Sequence, residues 1–278
     1  MNTEQKLNSS TSTAITANRC YKQPDLELYF EDCLETMKRI ETGSVNLMLT
    51  DPPYGTTQNK WDKSINIPEL WAEWERILAD NGVWVFTSAE PFTSELIMSR
   101  RGFFKYDLIW NKKRPTGHLN KDIMPMRQHE QILIFAKGKH TYNPQMHENK
   151  LDRDFRGAKM KPHTPNYGKQ KEYVSELDPK LSYPRSIWEF TAVIGNSKDK
   201  LPHPNQKPLP LFRELVRTYS NENDLVFDGY VGSGTTPMAC VLEKRKFIGS
   251  ENIQEYFDLS VNLLEAHFND GGLFSGCL

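Results

Sequence analysis

The run Asp51-Pro52-Pro53-Tyr54 puts a carboxylate, two prolines and an aromatic ring side by side. The prolines stiffen the loop, remove two N–H donors and leave backbone carbonyls that can only accept. Carboxylate, rigid carbonyls and ring together suit a planar base with an exocyclic amino group: acceptors for its N–H bonds and a face to stack on. The run follows VNLMLT (residues 45–50), a compact apolar stretch that reads as a buried strand. That places it at the carboxyl end of a sheet, where open α/β folds bind ligands. Taken alone, such a string is more often a plain turn with a helix-capping Asp.

A second motif shifts the balance. Phe227-Asp228-Gly229-Tyr230-Val231-Gly232-Ser233-Gly234-Thr235-Thr236 is a strand that turns on glycines into a helix. Glycines permit positive φ and close approach of a ligand, and the helix start offers free N–H groups to a carboxylate or phosphate. The next strand ends in Gly249-Ser250-Glu251, where an acidic side chain can meet ribose hydroxyls. The spacing GxxGxG is not the dinucleotide fingerprint GxGxxG, and the Gly-Lys-Ser/Thr of the NTPase phosphate loop is absent. A nucleoside-bearing cofactor on a Rossmann-like sheet fits what remains.

The elements that must position these loops alternate along the chain. Helices are expected at 33–40, 67–78, 209–219, 235–244 and 254–268, and strands at 45–50, 83–88, 106–110, 131–135, 225–227 and 247–249. The second of these strands, VWVFTS, is expected to begin after Asn81-Gly82. Such alternation argues a mostly parallel sheet covered on both faces. Ordered structure is expected from about Leu26, after a Ser/Thr/Asn-rich tail over residues 1–19. Residues 115–126 and 139–183 show no sustained period, too long for an idle connection in a compact domain.

Composition sets the outer bounds. At 278 residues the chain is long enough for one α/β domain with a sizeable insertion, or for two small domains sharing a cleft. No run approaches the roughly 18 apolar residues of a membrane span and no secretory signal opens the chain, so a cytoplasmic protein without membrane contact is expected. Cys20, Cys33, Cys240 and Cys277 are scattered, with neither a disulfide framework nor a zinc spacing, and no metal is expected. None stands in the Pro-Cys-Gln context of an enzyme that attacks pyrimidine carbon. The net charge is −1, yet residues 98–174 carry 17 Lys/Arg against 7 Asp/Glu and five of the seven histidines. A stretch so basic suits a phosphate backbone, although a solvated loop face has the same composition.

DPPY followed by a later DxxxGSGTT resembles the S-adenosylmethionine-dependent DNA amino-methyltransferases (adenine-N6 and cytosine-N4), in the permuted beta-class order with the catalytic half first. Nearly the whole chain follows the pattern: Asp32-Cys33, DPPYG, VWVFTS, HEQILIFAKG, YPRSIWEF, HPNQKPLPLFRELV, the glycine turn, then GSEN and Tyr256. The resemblance implies a seven-stranded, mostly parallel Rossmann-like sheet with helices on both faces and an inserted target-recognition region. It divides the chain into a catalytic domain at 20–114 and 182–278, with the strand at 130–137, and a DNA-binding insertion at 115–181.

The family pattern implies catalytic roles for Asp51, Pro52, Pro53 and Tyr54. For the cofactor it implies Asp228, Gly232, Ser233, Gly234 and Thr235 at the methionine part with Phe227 beside them, Glu251 at the ribose, Asp32 and Cys33 at the adenine end, and Lys207 adjacent. One departure stands out: Gly229-Tyr230 replaces the usual proline and phenylalanine. Double-stranded DNA is the implied partner, with room for a homodimer and a cognate restriction endonuclease. Arg114, Asn120, Arg127, Asn166 and Gln170 are candidates to read base edges.

Asp at the first motif position favours adenine; cytosine amino groups, RNA bases and protein glutamine amides are alternatives on the same fold. A DNA-binding module with a dead methyltransferase fold would need neither complete motif. A nicotinamide oxidoreductase is disfavoured by the glycine spacing.

Overall fold

The computed structural model describes residues 19–55, 65–148, 163–164, 168–169 and 180–269. Its centre is a twisted sheet of nine strands. In chain order these are β1 (Cys20–Gln23), β2 (Leu26–Tyr29), β3 (Val45–Thr50), β4 (Leu78–Ser88), β5 (Phe104–Thr116), β6 (Arg127–Phe135), β7 (Ile187–Glu189), β8 (Leu225–Asp228) and β9 (Lys246–Ser250). They lie in the order β1-β2-β9-β8-β3-β4-β6-β5-β7. The block from β2 to β4 is parallel throughout, β6 runs antiparallel to both its neighbours, and β7 is parallel to β5.

Among the described residues six helices cover the sheet: α1 (Cys33–Arg39), α2 (Ile67–Ile77), α3 (Phe92–Ser99), α4 (Leu209–Tyr219), α5 (Thr235–Leu242) and α6 (Gln254–Asn269). Successive strand side chains point to opposite faces, and the core divides accordingly. Leu47, Leu49, Val83 and Val85 pack with α4, α5 and α6 on one face. Met48, Trp84 and Phe86 pack with α1, α2 and α3 on the other, around Trp71, whose ring meets Trp74, Trp84, Phe86 and Phe135 within 5.9 Å. Burial on both faces is why these strands read as unbroken apolar runs.

The α/β class with a mostly parallel sheet is as expected, but seven strands become nine. Three short strands had not been located along the chain: β1 and β2, a hairpin that turns at Pro24-Asp25 and starts before Leu26, and β7, which has three residues. Helix α3 was not expected either. Strand β4 begins at Leu78 rather than after Asn81-Gly82, which lies inside it where the register against β3 shifts between Val45 and Leu47. A Cβ on Gly82 would stand 2.7 Å from the Leu78 side chain, so the strand needs glycine to pass there. Among the described residues no helix is long and apolar enough to cross a membrane. Residues 1–18 of the expected tail, Asn166, Gln170 and Cys277 lie outside the described residues.

Candidate active site

The two motifs meet because β3 and β8 are paired neighbours, with Leu47 opposite Val226 and Met48 opposite Phe227. Asp51 begins the loop after β3, and Asp228 ends β8. The Thr50 hydroxyl donates to Asp228 Oδ1 at 2.7 Å and fastens the two strand ends together. Asp228 is 1% exposed and accepts two further bonds, from the Tyr230 backbone N–H at 2.9 Å and the Thr236 hydroxyl at 2.5 Å. Burial nevertheless pushes its pKa up to about 6. Its carboxylate thus ties the glycine turn to both strands.

The turn has its expected shape. Gly232 and Gly234 have φ of +56° and +85°, a left-handed backbone that side chains resist. The chain is also crowded there: a Cβ on Gly232 would lie 3.1 Å from His203 Nε2, and one on Gly234 3.1 Å from the Ser260 backbone. Glu251, at the end of β9, accepts from the Gly232 N–H and the Ile253 N–H, both at 2.8 Å. The Asn252 backbone N–H bonds this carboxylate as well, and burial raises its pKa.

These groups surround a cavity of about 240 Å³ lined by Asp32, Asp228, Gly232, Ser233, Thr235 and Glu251 together with Asp51, Pro53 and Lys207. His203, Asn205, Tyr230 and Tyr256 line it as well. His203 is pressed edge-on against Tyr256, ring centroids 4.4 Å apart, and burial pushes its pKa down to about 4, so it is neutral at pH 7. Cys33, Phe227 and Gly234 do not line the cavity. Phe227 packs in the core beneath it, and Gly234 starts α5. The Cys33 thiol sits 3.6 Å from the Tyr230 hydroxyl, its pKa pushed up to about 12 by burial. A Cβ at Gly229 would come within 2.8 Å of Cys33 Cβ, so glycine in place of the family's proline fits the packing of α1 in this chain.

A second cavity, about 430 Å³, opens on the other side of Asp51. Pro52, Tyr54, Trp110, Lys112, Arg127 and Glu130 line it, and it shares Asp51, Asn205 and Lys207 with the first. Asp51 is held from three directions. Its Oδ1 accepts from the Tyr54 hydroxyl at 2.6 Å and from the buried Thr87 hydroxyl, and its Oδ2 receives the Lys207 ammonium at 2.5 Å. One face of Tyr54 stacks on Phe92 at 5.3 Å. Burial, then the charge of Asp51, raises the Tyr54 phenol well above its ordinary range, so it stays a donor.

Behind this pair lies a second one. Lys112, 6% exposed, reaches Glu130 Oε1 at 3.2 Å, while Glu130 Oε2 is buried without a hydrogen bond and lies 3.7 Å from Lys207. Burial works against the Lys207 charge, but Asp51 and Glu130 outweigh it and raise the pKa. Thr87, Lys112, Glu130, His203, Asn205 and Tyr230 were not among the candidates from sequence. Glu130 and Lys112 left no local signal, since each sits in the polar part of its strand, RQHEQ in β6 and NKKR in β5. Of the candidate base readers within the described residues, Arg114, Asn120 and Arg127 are exposed.

The chain is similar to known DNA methyltransferases in sequence and fold. The chain is 29% identical over 257 residues to the type II methyltransferase M.HpaI of Haemophilus parainfluenzae, covering 88% of this chain and 76% of that one. It is 27% identical to the DNA adenine methyltransferase YhdJ of Escherichia coli (strain K12), over 84% and 81% of the two chains. The structure of the M1.HpyAVI–SAM complex superposes with a TM-score of 0.57 at 25% identity, covering 86% of this chain and 99% of the other. The cytosine-N4-specific PvuII DNA methyltransferase, at 17% identity and a TM-score of 0.60, shares the fold. The N6/N4 DNA methylase model matches residues 45–262, and the chain belongs to that family.

Proposed function

We propose that the chain transfers the methyl group of S-adenosylmethionine to the exocyclic N6 amino group of adenine in double-stranded DNA. One observation carries this reading: Asp51 and Lys207 stand in the common wall of two cavities, one with the donors and acceptors for a nucleoside cofactor and one fit for a planar base. The donor set of the first matches S-adenosylmethionine. Glu251, bonded by the backbone N–H groups of Gly232, Asn252 and Ile253, would use its remaining acceptor site for the ribose, Asp32 would hold the adenine end, and the turn from Asp228 to Thr235 would hold the methionine part, with Lys207 adjacent. When bound, the cofactor supplies an electrophilic methyl on a sulfonium.

The chain's own residues then have to make the amine a better nucleophile. A carboxylate offers about four acceptor sites. Tyr54 and Thr87 occupy two on Asp51 Oδ1 and Lys207 one on Oδ2, leaving one for an N–H of the target. That bond, with a second to the Pro52 carbonyl, favours a pyramidal nitrogen with a directed lone pair and offsets its growing positive charge. Tyr54 offers its ring to the base after the base has left the duplex, and Pro53 closes the cofactor side. Lys207 would oppose charge on the amine if it stayed in place. Glu130 Oε2, 3.7 Å away and without a hydrogen bond, gives it a second resting place.

In this reading residues 20–114 and 182–278, with the strand at 130–137, form the catalytic domain, residues 115–181 the target-recognition insertion, and residues 1–19 a tail. A DNA substrate places the enzyme in the cytoplasm. A homodimer and a cognate restriction endonuclease belong to the same reading, tested by light scattering and by protection of methylated DNA from cleavage. Aspartate at position 51 and the adenine activity named for the Escherichia coli relative favour adenine over cytosine.

The decisive experiment is modification-detecting sequencing of DNA from cells expressing the chain or its Asp51→Ala variant. N6-methyladenine in one short motif, present only with the unaltered chain, is expected. N4-methylcytosine instead would move the substrate to cytosine, and DNA with no new modification would sink the reading.

A further inference from the structure

Strands β5 and β6 form a hairpin whose tip, residues 117–126, leaves the sheet beside the second cavity. Thr116 pairs with Arg127 at the neck, and both line that cavity. The tip is a built turn. Gly117, with φ +85°, starts a short 3-10 turn over His118–Asn120, and backbone N–H groups of Asn120, Ile123 and Met124 donate at 2.9 Å to the carbonyls of Gly117, Asn120 and Asn120 respectively.

On this ordered tip the large apolar side chains point outward. Leu119 is 95% exposed and Ile123 80%, with Met124 and Met126 also exposed. Such a group facing water marks a surface that meets a partner. Exposed Lys113, Arg114, Lys121 and Arg127 flank it, and the single acid of the tip, Asp122, is 2.7 Å from Lys121. An apolar point set in a basic collar, on the lip of a pocket for an extruded base, matches one kind of partner. The collar meets phosphates, and the point meets stacked bases, the one apolar interior a duplex offers.

We propose that Leu119 and Ile123 form a wedge that enters the base stack of duplex DNA where the target base leaves it. This rests on the methyltransferase reading above. When a base swings out, its neighbours lose a stacking partner and a gap opens between them. A Leu or Ile filling that gap buries its own surface and keeps the base from returning. The wedge thus favours the extruded state without touching the reacting atoms.

The test uses the full chain and an oligonucleotide duplex carrying the methylated motif read from host DNA, made in two forms. In one the target base is normally paired. In the other it faces an abasic site, so that little pairing remains to be broken. The Leu119→Ser/Ile123→Ser variant is expected to lose tenfold or more in single-turnover transfer on the paired duplex and less than threefold on the abasic one. Its melting temperature should match the unaltered chain, since both side chains are exposed.

Equal losses on the two duplexes, or none on either, would overturn the wedge. So would a fall in oligomeric state by light scattering with transfer unchanged, which would assign the tip to contact between two copies. An unaltered chain inactive on both duplexes would instead remove the methyltransferase reading, and the wedge with it.

Discussion

The Lys207 ammonium lies 2.5 Å from Asp51 Oδ2, a contact between residues on two different loops. The carboxylate proposed to receive the target amine is therefore already partnered by a cation. Replacing Asp51 by Asn keeps the size of the side chain and its bond from Tyr54 but removes the charge. Single-turnover transfer should fall by about 10²–10³, with S-adenosylmethionine affinity, measured by calorimetry, within a few-fold. A variant that kept its rate would take the carboxylate out of the chemistry.

Glu130 matters to the extent that Lys207 must move. Glu130→Gln leaves Lys207 with Asp51 as its one nearby carboxylate, so transfer should slow about tenfold while cofactor affinity holds. In a Lys207→Met background the same change should cost almost nothing further, because the two act through one contact. Additive losses in rapid-quench measurements would show that Glu130 merely anchors Lys112.

Gly232→Ala forces a side chain into left-handed backbone and 3.1 Å from His203 Nε2. A loss of about 1–2 kcal/mol in urea unfolding is expected from the backbone alone, with at least tenfold weaker cofactor binding. Gly138→Ala, where a Cβ meets nothing within 4 Å, is the control and should leave both unchanged.

Stability should also respond to pH in a way that separates two buried groups. The Asp228 carboxyl, pushed by burial to about 6 from 3.8, holds a proton that the unfolded chain has lost, so its contribution falls as pH rises through that window. His203, pushed by burial to about 4 from 6.5, does the opposite, and its contribution rises with pH. The two offset each other in the unaltered chain. In Asp228→Asn the His203 contribution stands alone, so stability should climb from pH 4.5 to 7 by about 2 kcal/mol more than in the unaltered chain. Parallel urea-derived curves would deny Asp228 its raised pKa.

Thiol labelling checks the packing of α1 and α5 against the sheet. Cys20 is exposed, whereas Cys33 and Cys240 are buried with raised pKa values. Iodoacetamide at pH 8 should modify Cys20 in the native chain and reach the other two only after denaturation, as read by peptide mass mapping. Rapid native labelling of Cys33 would mean that α1 opens readily.

What could be read from the sequence was whatever has a period or a fixed spacing. The buried strands show as apolar runs, and the aspartate-proline loop and glycine turn show as strings whose neighbours are themselves informative. Edge strands such as β1 and β7 carry too few residues for a period to emerge. The start of β4 was misplaced because its first residues, LADNG, carry no apolar run, although they pair with β3 across a register shift. Glu130 and Lys112 are single charged residues whose importance comes from each other and from Lys207, partners distant in the chain. Lys207 itself came from family resemblance, since nothing local distinguishes it from a surface lysine.

Asp51, Asn205 and Lys207 belong to both chambers at once, and this bears on order and affinity. A ligand in either one changes the charge and hydrogen bonding that the other ligand meets. Linkage then requires the effect to be mutual: whatever factor cofactor adds to the grip on DNA, DNA adds to the grip on cofactor. Product release inherits the same bond, because loss of the sulfonium charge after transfer alters the shared wall and so the hold on the modified strand.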